Sequence, residues 1–299
     1  MKEYFVWLAK FVTAIFIVLF LIPLTLTAIF SATQKEILNQ EQTTKKGVAV
    51  VELKGMIDGS DELIEQLYKH VQDDNVLGIV LDIDSPGGAV GPSQAIFAAV
   101  QRLKKSKPIV AVMNTVAASG GLYAALGASK VLAQPGTLTG SIGVILQLPN
   151  FSGITEKVGV DVVTIKSGQF KDAGNSFRPM TPAEQAYLQS TVDTAFESFK
   201  NAVAEGRDIP LEKVTPFADG RIILGSQAKE LGLIDGFGDV YVGAREVYEL
   251  AGEPLKEDEY PNLIKKDRKY EQLIQYLESV FSLPIAFSSK VRLLYLMDL

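Results

Sequence analysis

VLGIVLDIDSPGG, residues 76–88, is the stretch whose reading decides the fold. Its first nine residues are apolar and largely β-branched, broken only by Gly78, Asp82 and Asp84. Such a run, without polar alternation, suits a strand buried on both faces, as in a parallel sheet covered by helices. The run ends in Asp84-Ser85-Pro86-Gly87-Gly88. Those are turn residues at the C-terminal end of a strand, where open α/β sheets place their sites. Two glycines there also let main-chain N–H groups approach a ligand without a Cβ in the way, as an anion hole requires.

Working outward, GVAVVELKG (47–55), PIVAVM (108–113), KVLA (130–133), IGVILQL (142–148) and DVVTIK (161–166) read as further strands. Between and after them lie segments of helical periodicity. These are 60–72 behind Ser60, 92–104 with Pro92 in its first turn, 120–127, 182–206 behind Thr181 and Pro182, 226–231 between Ser226 and Gly232, and 238–252. Strands alternating with helices predict an α/β fold with a mostly parallel sheet covered on both faces.

The composition narrows the chemistry. The 299 residues include no cysteine and one histidine. A thiol nucleophile, a thiolate zinc site, an iron–sulfur cluster and a disulfide frame are therefore excluded, as is a two-histidine metal site within one chain. No metal or cofactor is expected. A net charge of −6 argues against a nucleic-acid partner. Phe11 to Phe30 is uncharged for 20 residues, enough for a helix of about 30 Å. Tyr4 and Trp7 stand at its start as interfacial aromatics. The run is longer than a signal-peptide core, and TAIFSAT offers only a poor cleavage site, so residues 1–30 read as a retained anchor in membrane lipid. Lys2 and Lys10 before the span are balanced by Lys35, Lys45 and Lys46 after it, so the basic residues do not set its orientation. Residues 31–46 then read as a stalk, 47–252 as the folded domain, and 253–299 as a charged linker with an apolar tail, in which 273–281 has amphipathic helical spacing.

Ser119, in Ala117-Ala118-Ser119-Gly120-Gly121, follows a strand and opens a helix. Its small neighbours leave the hydroxyl approachable, although a helix N-cap explains a serine there equally well. A serine nucleophile needs a base. His70, with Asp82 or Asp84, has a triad's residue types and order, but its polar helix end beside Lys69 and Asp73 reads as a solvated face. A lysine also serves if burial keeps its amine neutral. Lys166 ends the 161–166 segment and Lys171 follows it, and spacing alone does not select between them. Ser226 and Lys229 form a Ser-x-x-Lys match that reads better as a helix start.

Taken together, DSPGG (84–88), MNTVAASGGLYAA (113–125), LTGSIGV (138–144), TIKSGQFKDAG (164–174) and ADGRIILGSQAKELGLID (218–235) resemble the signal peptide peptidase A family, in its short single-copy form. That family lies within the Clp protease and crotonase fold group, and the resemblance covers roughly residues 47–240. It implies a curled, mostly parallel sheet with flanking helices. It implies Ser119 as nucleophile, Lys171 as general base and Ser141 as the hydroxyl that positions the lysine. The implied oxyanion hole is Gly87, Gly88 and a main-chain N–H near Gly120. The implied substrates are leftover signal peptides and other hydrophobic peptides. The implied setting is the bacterial cytoplasmic membrane, with a single span and the catalytic domain outside, and the implied assembly is a ring-shaped homo-oligomer. Other readings stay open: a stomatin-partner Ser-Lys peptidase, a tail-specific protease, a crotonase-like acyl-CoA enzyme and an inactive scaffold.

Overall fold

The computed structural model describes residues 2–18, 22, 46–265 and 294–296. The chain divides into two compact units, residues 1–46 and 47–299. In the first, helix α1 (Lys2–Phe16) is 15 residues long, about 22 Å. Among the described residues no helix is long and apolar enough to cross a membrane. Residues 19–21 and 23–30 of the apolar stretch, and residues 31–45 of the expected stalk, lie outside the described residues.

The second unit runs β1 (Gly47–Lys54), α2 (Asp61–Gln72), β2 (Val76–Ser85), β3 (Gly87–Ala89), α3 (Val90–Leu103), β4 (Ile109–Ala117), α4 (Gly120–Ala125), β5 (Lys130–Ala133) and β6 (Leu138–Gly140). It continues with α5 (Ser152–Val158), α6 (Pro182–Arg207), α7 (Leu211–Val214), β7 (Ile222–Leu224), α8 (Gly225–Glu230), β8 (Gly236–Phe237), α9 (Val240–Leu250), β9 (Leu263–Ile264) and β10 (Leu294–Leu296). The main sheet has the order β7-β6-β4-β2-β1-β9, with β5 also on β4 and β8 on β5. All its pairings are parallel except β6 with β7.

Strand alternation sends side chains to two cores. Ala49, Val51, Ile79, Leu81, Ile83, Ala111 and Met113 face one side, beneath α2, α3, α4 and α6. Val48, Val50, Val80, Val110 and Val112 face the other, beneath Ala244, Val247 and Tyr248 of α9. Both faces are thus buried, which is why residues 76–84 carry no polar alternation. Strand β4 then forks: its first half pairs with β5, and Val116 pairs with Leu138 of β6. The fork opens the sheet just before Ser119.

Several expected elements differ. Residues 142–148 form no strand beyond a bridge at Ile145, and 161–166 form none. Among the described residues the latter segment pairs with no strand, and Val163 and Ile165 are 85% and 97% exposed. Helix α8 starts one residue earlier than expected, with Ser226 inside its first turn rather than at the cap. The charged linker contributes β9, an edge strand parallel to β1. Of the tail, residues 294–296 pair antiparallel with β3, and the amphipathic 273–281 stretch lies outside the described residues.

Candidate active site

Ser119 sits where β4 turns into α4. Four hydrogen bonds hold that turn. The Val116 N–H donates to Asp84 Oδ1 at 3.1 Å. The Ala118 N–H donates to the Ser85 carbonyl at 3.1 Å, and the Ser119 N–H to the Gly140 carbonyl at 2.9 Å. The Thr139 hydroxyl donates to the Ala117 carbonyl at 2.6 Å. Held this way, Ser119 takes φ 51°, ψ −117°, a region unfavourable for a residue with a Cβ. Strain of this kind costs on the order of 1–3 kcal/mol and persists only where the surroundings over-determine it. Its side chain is fully buried, and its Oγ has no hydrogen-bond partner. A buried hydroxyl without a partner is unusual, since burial normally brings a bond.

The glycine pair lies beside it. On one edge of β3 the Ile57 N–H donates to the Gly87 carbonyl at 2.9 Å, and the Ala89 N–H to the Ile57 carbonyl at 2.7 Å. Strand alternation then turns the Gly88 N–H to the opposite edge, where Tyr295 of β10 stands across from it. The Gly87 N–H donates to Ser85 Oγ at 3.2 Å and is occupied. The Gly120 N–H opens α4, with no acceptor among the described residues. Of the expected oxyanion residues, Gly120 has no N–H acceptor among the described residues, Gly88 is paired with Tyr295 of β10, and Gly87 shapes the turn with φ 108°.

Ser141 is the second non-glycine residue with positive φ near the turn, at 50°, and its N–H donates to the Arg221 carbonyl at 2.8 Å. It opens onto a cleft of about 620 Å³ lined by Ile142, Ile145, Val192, Phe196 and Ile222. Lys171 is exposed, in a turn closed by its own N–H to the Gly168 carbonyl at 3.2 Å. Because Ser119 Oγ has no partner, neither Lys171 nor Ser141 is bonded to it.

The other sequence candidates fall away. His70 lies in the last turn of α2, just before the start of β2, whereas Ser119 follows the end of β4, a parallel neighbour of β2. The length of the sheet, about 30 Å for nine residues, separates them. Burial and the neighbouring Lys69 lower the His70 pKa. Asp82 bonds the Asn114 amide, and burial raises its pKa. Lys229 donates to the Asp235 carbonyl at 2.6 Å rather than to Ser226. Lys166 pairs with Asp172. Among the described residues no group of three or more His, Asp or Glu is placed to hold a metal ion.

Comparison with known proteins gives this geometry its class. The Clp protease sequence profile matches residues 41–137, the segment holding β1 through β5. The Peptidase family S49 profile matches residues 101–252, half of the chain. The chain belongs to peptidase family S49. It is 42% identical over 197 residues to a candidate protease of Synechocystis sp. (strain ATCC 27184 / PCC 6803 / Kazusa), covering 66% of this chain and 71% of that one. It is 40% identical over 176 residues to a candidate signal peptide peptidase SppA of Enterococcus faecium, covering 58% and 51%. It is 33% identical over 180 residues to the chloroplastic serine protease SPPA of Arabidopsis thaliana, covering 60% of this chain and 27% of that one.

Proposed function

We propose that the protein is a membrane-anchored serine endopeptidase that degrades hydrophobic peptides, leftover signal peptides among them, with Ser119 as nucleophile and Lys171 as general base. The observation that carries this reading is the strained, buried and unpartnered Ser119 hydroxyl, at the turn where β4 passes into α4. A neutral Lys171 amine takes the Ser119 proton as Oγ attacks the peptide carbonyl. With β10 displaced from the edge of β3, the Gly88 and Gly120 N–H groups receive the oxyanion. The lysine returns its proton to the leaving amine, and water releases the acyl-enzyme.

Residues 11–30 serve as the single membrane span, with the catalytic unit on the outer side of a bacterial cytoplasmic membrane. The protein works as a ring-shaped homo-oligomer. Support comes from the arm that leads to Lys171, where Ile154, Val158, Val160, Val163 and Ile165 are all exposed. Large apolar side chains exposed along one segment suit a contact site. Copies packed on it supply the water-poor setting that favours a neutral lysine amine. The test uses the full chain in detergent with a synthetic signal peptide. Mass spectrometry should find internal cleavage that disappears with Ser119→Ala; cleavage surviving in that variant overturns the reading.

The substrate strand adds to the outer edge of β3, the edge that Leu294–Leu296 now occupies. A tethered strand competes at the high effective concentration of an intramolecular ligand. A chain ending at Lys265 should therefore show a KM lower by roughly tenfold with kcat unchanged. An unchanged KM in a truncated protein with the full-length melting temperature would count against substrate binding at that edge.

A further inference from the structure

We infer that Asp172, Arg178 and Glu184, together with the Phe170–Tyr187 ring pair, are positioning residues that fix Lys171 to the first turns of α6. The inference rests on the reading of Lys171 as the base. It begins with the two sequence neighbours of that lysine. On one side, the Phe170 ring stacks on Tyr187 of α6, with centroids 4.9 Å apart. On the other, Asp172 is held at three points by one arginine. Arg178 Nε donates to Oδ2 at 3.0 Å, NH2 lies 2.8 Å from the same oxygen, and NH2 donates to the Asp172 main-chain carbonyl at 3.1 Å. The second carboxylate oxygen takes the Lys166 ammonium, which also donates to the Gln169 carbonyl at 3.1 Å.

The far end of the clamp is the start of α6. Arg178 NH1 donates to Glu184 Oε2 at 2.8 Å, and NH2 meets Oε1, a bidentate fork. Glu184 is 2% exposed, and its Oε2 also accepts the Thr181 N–H at 2.9 Å. The Arg178 hydrogen bonds, then the Thr181 backbone, hold its carboxyl at about 2, so the fork stays ionised in any ordinary assay. Helix capping alone does not call for this arrangement. The Thr181–Glu184 box already caps α6, and a cap needs no arginine reaching back to residue 172.

The clamp also places Lys171 relative to the cleft. Over the next three to four turns beyond Glu184, Gln189, Val192 and Phe196 of the same helix line the cleft that opens at Ser141. Helix α6 therefore acts as a ruler, with the base tied to its first turns and the cleft built on the next ones. Lys171 contributes a flexible four-carbon stem, and a fixed backbone beneath it is what turns reach into alignment.

The test compares Arg178→Met, Glu184→Gln and Lys171→Ala in the full-length protein, using peptide-amide hydrolysis. Glu184→Gln keeps an acceptor for the Thr181 N–H and removes only the ion pair, so α6 keeps its cap. Each clamp variant should lose about 100-fold in kcat, the scale of a roughly 1 Å misplacement, with KM within about threefold of the parent. In the Lys171→Ala background, adding Arg178→Met should cost nothing more, because no base is left to misplace. If Lys171→Ala is fully active, the underlying dyad fails. If Lys171→Ala is inactive while both clamp variants keep their kcat, this inference alone is overturned. It is also overturned if the kcat loss merely follows the folded fraction measured by circular dichroism.

Discussion

Lys171→Ala should lower kcat/KM on a peptide amide by at least about a thousandfold at neutral pH, with the fold intact. General-base assistance contributes roughly 10² to 10⁴ in rate. Here no imidazole or thiolate is placed to take over, since His70 stands at the other end of the sheet and the chain has no cysteine. Three polar groups at the turn are already engaged. Thr139 donates to the Ala117 carbonyl, Asp84 accepts the Val116 N–H, and Ser85 accepts the Gly87 N–H. Labelling of Ser119 by a fluorophosphonate reads the same step more directly, because it needs the hydroxyl activated but no leaving-amine protonation. Labelling should be rapid in the parent and near background in Lys171→Ala. Equal labelling rates in the two proteins at neutral pH would remove Lys171 from the mechanism.

Stability should move little in that variant. Lys171 is exposed and makes no bond that the fold depends on, and surface substitutions of this kind usually stay within about 0.5 kcal/mol. Activity and stability are thus separable at Lys171, as expected of a residue whose place is set by its neighbours.

What was legible in the sequence follows from burial. Residues 76–84 and 108–113 announce strands because both faces of each are covered, and a fully covered strand leaves a continuous apolar run. Residues 161–166 carry the same residue types for a different reason. Their side chains are exposed, and periodicity cannot tell an apolar strand from an exposed apolar segment. Strand β9 went unseen because two residues after Pro261 are too short to show a pattern. Ser119 was visible through its small neighbours, but its positive φ was not, because the Gly140 and Ser85 carbonyls that accept from the Ser119 and Ala118 N–H groups lie on distant segments. The Asp172–Arg178–Glu184 clamp was missed because its members sit six residues apart with no shared periodicity. The only trace in the sequence was Thr181-x-x-Glu184, the signature of a capping box, which marks the helix start but not the arginine that reaches it.

Gly88→Ala should be the most damaging conservative substitution outside the Ser119–Lys171 pair. A Cβ there would lie 2.0 Å from the Ile57 carbonyl oxygen and 2.5 Å from its nitrogen. Both are backbone atoms, bonded to Gly87 and Ala89 on either side, so no side chain can swing away to make room. The strand itself must shift, and the Gly88 N–H shifts with it. Overpacking of this kind typically costs 1–3 kcal/mol of stability. Misaiming one oxyanion donor costs roughly 10²–10³ in kcat. The two effects separate by comparison with Gly91→Ala, three residues on in α3, where an added Cβ meets nothing within 4 Å. That change should be neutral or stabilising by up to about 1 kcal/mol, since alanine favours the helix, and it should leave kcat alone. Urea unfolding and initial rates on both variants check the pair. A folded Gly88→Ala protein with near-parental kcat would mean that the oxyanion is held elsewhere, and β3 would then serve only as the strand on which the peptide lies.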